Sequence, residues 1–178
     1  MNKNFIIGGI LVIIVVIGFI FFASQKPKPE NSNSNPGNPQ PQTENTSEGK
    51  MIAGYSGKVL AGITSPYLIF NKVDYDKVLT SGKVVFLDFY ANWCPICRDE
   101  APSLKSGFDS LQSDKVVGFR VNYNDSDTDQ DEKDLAKQFS VPYQHTKVIL
   151  KDGKEVARSL ESWDKNEFIK QMSALGVN

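Results

Sequence analysis

The chain has 178 residues and a formal net charge of −1, its 20 basic side chains offset by 21 acidic ones with no basic block. That balance excludes the electrostatic footprint of a nucleic-acid-binding surface. Two cysteines and one histidine cannot supply the four ligands of a structural zinc site.

In chain order, a short tail (residues 1–4) precedes the uncharged run FIIGGILVIIVVIGFIFFA, residues 5–23. As a helix this run spans about 28 Å, close to the hydrocarbon thickness of a bilayer. A cleaved signal has a shorter apolar stretch and small residues before the cut. FFASQ leaves a cleavage option, but Phe21 and Phe22 stand where small residues belong, so an uncleaved signal-anchor is expected. Lys3 on one side and Lys26 and Lys28 on the other nearly balance. The shortness of the tail favours a cytoplasmic N-terminus, with the rest of the chain outside. Residues 24–50 are rich in Pro, Asn, Ser and Gln and carry no large apolar side chain. They cannot bury enough surface to offset their ordering entropy and read as a disordered linker. Residues 51–178 remain as one domain, without internal repeats.

Within that domain, residues 51–66 allow a leading hairpin. YLIF (67–70) is a short strand candidate, and VDYDKVLTSG (73–82) a helix with Val73, Tyr75 and Val78 or Leu79 inward. KVVFLDFY (83–90) is nearly all apolar and suits a central strand covered on both faces. A helix follows Cys94 to about residue 112. VVGFRVNY (116–123) predicts a strand, and DEKDLAKQF (131–139) a helix with acidic residues in its first turn. TKVILKDGKEVARSL (146–160) reads as two strands joined at Asp152-Gly153, and DKNEFIKQMSAL (164–175) as a last helix closed by Gly176. The order β-α-β-α-β-α-β-β-α predicts an α/β fold: a central mixed sheet with right-handed crossovers, an antiparallel edge and helices on both faces. In DSDTDQDEKD (125–134), Asp125, Asp127 and Asp129 have the spacing of a calcium loop's opening. Gln130 and Ala136 occupy its glycine and acidic positions, so a solvated loop and helix start is expected.

The two cysteines stand in ANWCPICRDEAP (91–102), at the junction of the central strand and the next helix. Free N–H groups and the dipole at a helix N-terminus favour a thiolate. Cys94 is expected in the first turn with its sulfur exposed, and Cys97 on the same face but deeper, so that one attacks and the other resolves the mixed disulfide. Pro95 fits the first turn, which has no partner for its missing N–H. Haem attachment would need histidine after Cys97, where Arg98 stands. A disulfide across so short a loop is a poor staple. A redox pair is the reading the position favours; metal binding and inert thiols remain alternatives.

FLDFYANWCPICRDEAP resembles the signature of the thioredoxin family: an apolar strand with a buried Asp, then aromatic, Ala, a variable residue, Trp, Cys-x-x-Cys, a basic residue, and Pro five positions past the second Cys. The resemblance runs over residues 67–178 and implies a thioredoxin-like fold. It implies Cys94 as nucleophile, Cys97 as resolving thiol and Asp88 as its proton acceptor. Trp93, Pro95, His145 and Thr146 would line the substrate groove, Pro102 would kink the helix, and Arg120 would lie near the buried acid. Together with the anchor, the chain is similar to membrane-tethered extracytoplasmic members that exchange disulfides with protein substrates. The implied protein is a thiol–disulfide oxidoreductase, single-pass in the cell membrane with its domain extracytoplasmic. It would be monomeric and need no cofactor beyond the Cys94–Cys97 pair; its partners would be protein thiols or disulfides and a membrane or extracytoplasmic electron donor or acceptor. Pro-Ile between the cysteines departs from the Gly-Pro of cytoplasmic thioredoxins. The family's cis-proline position, just before Thr146, holds His145. Beside two thiols an imidazole can tune a thiolate, act as acid or base, or complete a Cys94–Cys97–His145 set for Cu(I). The alternative function is therefore an extracytoplasmic copper-binding chaperone.

Overall fold

The computed structural model describes residues 49–178; the expected tail, the expected anchor helix at 5–23 and nearly all of the expected linker lie outside the described residues. Among the described residues no helix is long and apolar enough to cross a membrane. The elements are β1 Val59–Ala61, β2 Tyr67–Ile69, α1 Lys72–Leu79, β3 Val84–Tyr90, α2 Pro95–Ser110, β4 Val116–Asn122, α3 Gln130–Gln138, β5 Thr146–Lys151, β6 Lys154–Ser159 and α4 Lys165–Ala174. They form one mixed sheet in the order β1-β2-β4-β3-β5-β6. β4 lies parallel to both β2 and β3, whereas β3–β5, β5–β6 and β1–β2 are antiparallel. Of the leading hairpin expected in 51–66 only one strand forms, β1, and it pairs with β2, the strand expected in YLIF.

Strand β3 sits between β4 and β5, and six of its seven residues are buried. Successive side chains of a strand point to opposite faces. Val85, Leu87 and Phe89 accordingly join one core with Leu68, Tyr75, Val78, Phe119 and Leu135, under α1 and α3. Val84 and Phe86 join the other with Tyr67, Leu104, Phe108, Ile149, Phe168 and Met172, under α2 and α4. The second core is an aromatic stack. Tyr67 and Phe108 lie face to face with centroids 4.8 Å apart, and Phe168 packs on Phe108 at 4.7 Å. Gly118 of β4 is what admits it: a Cβ there would run into the rings of Phe108 and Tyr67.

The turn and cap signals act as their chemistry predicts. Asp152 and Gly153 both have positive φ, +52° and +70°, as a two-residue hairpin turn requires. Asp129 caps α3 in a reciprocal box with Glu132, and Asp125 accepts from the Thr128 hydroxyl and the Asp127 N–H. The carboxylates of 125–134 thus close a turn and cap a helix. Helix α1 departs from expectation. Val73 is 74% exposed, while Asp74 turns inward and accepts the backbone N–H groups of Ser56 and Gly57. The polar Asp74 takes that place because it can satisfy two amides of the segment before β1.

Phe108→Ala is expected to cost about 3–5 kcal/mol by removing the centre of the aromatic core. Urea unfolding of the domain should register this as a lower midpoint at unchanged slope.

Candidate active site

Strand β3 ends at Tyr90, and Ala91 to Trp93 carry the chain to α2, whose N-cap is Cys94 and whose first residue is Pro95. Cys94 and Cys97 form a disulfide with Cα atoms 5.3 Å apart. The Cys97 N–H donates to Cys94 Sγ at 3.2 Å, so the cysteine sulfur takes the place of the oxygen a capping Ser or Asp would offer. The donor and the positive end of the helix dipole both favour negative charge on that sulfur. Contrary to the expectation of an exposed nucleophile, both cysteines are buried in the oxidised form, packed with Ala91 and Tyr90. A capping side chain folds back over the helix end, which draws Cys94 inward.

Beside this buried pair the surface carries both polar and apolar exposed side chains. Trp93 and Ile96 are each about half exposed, and Tyr143 stands out from the loop before β5. The indole of Trp93 donates to the carbonyl of Asn124 (3.1 Å), and the Asn92 N–H to Asp125 Oδ2 (2.8 Å), so the loop after β4 fixes the active-site loop. Thr146, by contrast, is fully buried and its hydroxyl donates to the Tyr143 carbonyl at 2.8 Å. It shapes the loop from below rather than lining its surface.

Asp88 is buried and its Oδ2 accepts from the Tyr67 hydroxyl at 2.6 Å. Burial drives its pKa up against the opposing pull of Lys147, the Tyr67 hydrogen bond and Arg120. Arg120 is Asp88's register neighbour on β4, as the resemblance implies, but its guanidinium lies over the ring of Tyr90 at 4.6 Å. The cation that acts most strongly on Asp88 is Lys147, its register neighbour on β5.

Lys147 and Glu100 were not singled out in the sequence. Lys147 is completely buried; its ammonium contacts Glu100 Oε1 at 2.7 Å and the Glu161 carbonyl at 3.0 Å. Glu100 Oε1 also accepts the Trp163 N–H at 2.6 Å. Burial raises the Glu100 pKa, with the Lys147 contact opposing. Two signals pointed there: a lysine inside the apolar run TKVIL, and a glutamate three residues after Cys97, on the same helix face.

His145 does occupy the position immediately before β5, but its backbone is not that of a proline. Its φ is +70°, and its N–H donates to the Phe89 carbonyl at 2.6 Å. Proline allows neither. The ring is buried, with Nε2 3.1 Å from Ser162 Oγ. Nδ1 lies 3.0 Å from Glu100 Oε2, without the alignment of a formed hydrogen bond. Burial, then Lys147, lowers the His145 pKa, while Asp88 and Glu161 pull it up. Among the described residues no three His, Cys, Asp or Glu side chains are grouped to hold a metal ion.

A two-cysteine loop capping a helix at the end of a central strand, over a buried acid, defines the class: a thioredoxin-like α/β domain built for thiol–disulfide exchange. The family model described as Thioredoxin matches residues 66–174. The chain is 35% identical to Thioredoxin-T of Drosophila melanogaster over 92 residues, covering 49% of this chain and 52% of that one. It is 30% identical to the thioredoxin of Coprinus comatus over 89 residues, 50% of this chain and 78% of that one. Several curated relatives are covered over only 17% to 52% of their length. The crystal structure of thioredoxin from Aeropyrum pernix shares the fold, with a TM-score of 0.51 at 15% identity, covering 68% of this chain and 95% of that one. The chain belongs to the thioredoxin family.

Asp88→Asn should stabilise the domain at neutral pH. With a folded pKa above the unfolded one, Asp88 binds more protons folded than unfolded, so the wild type loses stability as pH rises from about 4 through the folded pKa. Unfolding measured across pH should show the variant's advantage growing over that window and disappearing below it. His145→Pro is expected to cost more than about 1 kcal/mol, since it removes the N–H bonded to Phe89 and forbids the positive φ. Denaturation of the purified domain checks this.

Proposed function

We propose that this protein is a membrane-anchored thiol–disulfide oxidoreductase that exchanges disulfides with extracytoplasmic protein substrates. The observation that carries the chemistry is the Cys94–Cys97 disulfide at the N-terminus of α2, with the Cys97 N–H directed at Cys94 Sγ. In the reduced form, Cys94 thiolate attacks a substrate disulfide and becomes linked to one substrate sulfur, while the other leaves as a thiolate. Cys97 then loses its proton, attacks Cys94 Sγ and expels the second substrate thiolate. Two electrons pass to the substrate, and the protein disulfide is formed. The reverse sequence oxidises a substrate dithiol. Asp88, buried and biased toward its protonated form, suits the exchange of the Cys97 proton. Trp93, Ile96 and Tyr143 offer an apolar platform for an unfolded or extended segment of the substrate. The pair itself is the redox group, so a donor or acceptor of electrons is the partner required, and no further cofactor. The uncharged run at 5–23 and the Pro/Asn-rich segment after it support a tether that holds the domain outside the membrane.

Turnover of a protein disulfide such as that of insulin should fall to the uncatalysed rate in Cys94→Ser, whereas Cys97→Ser should trap a stable mixed disulfide through Cys94. Full activity in Cys94→Ser would defeat the reading. The potential of the couple gives the direction of flow: near about −270 mV marks a reductant, near about −120 mV an oxidant. For the tether, the full chain should sediment with membranes and its domain should be digested by protease added outside intact cells. Recovery as a soluble, protected protein would overturn that part.

A further inference from the structure

Resolution of a mixed disulfide moves a proton as well as electrons, and the proton starts in a buried place. Cys97 is 4% exposed, Asp88 5% and Glu100 5%. Asp88 leads through its hydrogen bond to Tyr67, which is itself buried and stacked on Phe108, so that side is closed. Glu100 leads elsewhere. Its Oε2 is 3.0 Å from His145 Nδ1, His145 Nε2 is 3.1 Å from Ser162 Oγ, and Ser162 is exposed. Ser162 and Glu100 both line an open groove between α2 and the β6–α4 connection, together with Ile96, Ser103 and Trp163.

We propose that Glu100, His145 and Ser162 form a proton relay between the buried redox pair and this groove, with His145 and Ser162 as its outward steps. The inference rests on the oxidoreductase reading above. When Nε2 carries the ring proton and donates to Ser162 Oγ, Nδ1 is left without a proton and faces Glu100 Oε2. Cys97, one helical turn before Glu100 on the buried face of α2, gives its thiol proton to the Glu100 carboxylate, which passes a proton on to Nδ1; Nε2–H gives its proton to Ser162 Oγ, and the serine hydroxyl proton passes to water in the groove. Over the whole step, the bond between Cys94 Sγ and the substrate sulfur breaks and the Cys94–Cys97 bond forms. One proton moves from Cys97 to the departed substrate thiolate. The ring ends as the other neutral tautomer, and the reverse half-cycle, which reprotonates Cys97, resets it. The charged groups around the ring favour this passage. Burial raises Glu100, while burial and Lys147 on β5 lower His145; Asp88 on β3 and Glu161 after β6 moderate the latter. The two shifts thus run toward each other.

The test follows the reduced full chain in detergent, mixed with excess glutathione disulfide, quenched in acid and weighed by mass spectrometry. In the wild type the Cys94–glutathione intermediate should be transient. In Ser162→Ala it should accumulate, because resolution by Cys97 slows by at least about tenfold. Ser162→Thr, which keeps the hydroxyl, should restore the rate, and so should added imidazole or formate in the alanine variant. A wild-type resolution rate in Ser162→Ala would overturn the relay. So would a slow rate rescued by neither threonine nor buffer, since that marks a merely structural serine. If the wild type forms no Cys94–glutathione intermediate and no oxidised product, the oxidoreductase reading itself fails, and the relay with it.

Discussion

Strand β3 is hydrogen-bonded to a parallel neighbour on one side and an antiparallel neighbour on the other, and it is covered on both faces. Its end is therefore a fixed point in the domain. The peptide that leaves it has three residues in which to reach the first turn of α2, so the position of Cys94 follows from the sheet rather than from a flexible loop. The aromatic core beneath α2 holds the other side of that junction, since Phe108 of α2 is packed against Tyr67, Phe86 and Phe168. The approach of the Cys97 N–H to Cys94 Sγ is set at that junction.

The same alternation that sends Phe86 into the aromatic core sends Asp88 toward α2 and α4. Isolated carboxylates in such a place are costly unless paired. The domain answers with a second buried carboxylate and one buried ammonium: Lys147 sits opposite Asp88 on β5 and contacts Glu100 from α2. One cation stabilises two carboxylates unequally, since it binds Glu100 directly and acts on Asp88 across the strand pair. Burial outweighs that one cation, so the pKa of each acid is raised, the direction useful in a proton acceptor for a thiol. Removing Lys147 would leave two buried acids with less reason to ionise, so the lysine sets the poise of the whole site without touching the sulfurs.

The fold was largely legible in the sequence because its signals are local and agree with one another. KVVFLDFY, the Asp152-Gly153 turn, the Asp129 and Asp164 caps and Gly176 each specify an element boundary by their own chemistry. Cys94, Cys97 and Asp88 were legible for the same reason, lying on one strand–loop–helix unit. What escaped was the set of contacts made between distant segments. Glu100, Lys147 and Ser162 come from α2, β5 and the connection after β6, and each alone looks like an ordinary helix-surface acid, strand cation or loop hydroxyl. Val73 was misassigned because hydrophobicity outweighed the local chemistry of Asp74, whose carboxylate has two backbone amides to satisfy.

His145 joins these threads. A non-glycine residue in the left-handed region costs of order 1–3 kcal/mol and persists where its surroundings over-determine it. Here the N–H is held by the last turnward carbonyl of β3's Phe89, and the ring is held between α2 and the β6–α4 connection. A proline at this position would fix the loop through its own ring and offer no polar atom. Histidine fixes the loop through three external contacts, and those contacts run from the central strand, past the buried acid, to an exposed serine. The strain at one residue thereby accompanies a line of polar atoms from the buried Glu100 to the surface at Ser162. A site whose nucleophile, resolving thiol and acids are all buried has more need of such a path than one whose sulfur stands in solvent.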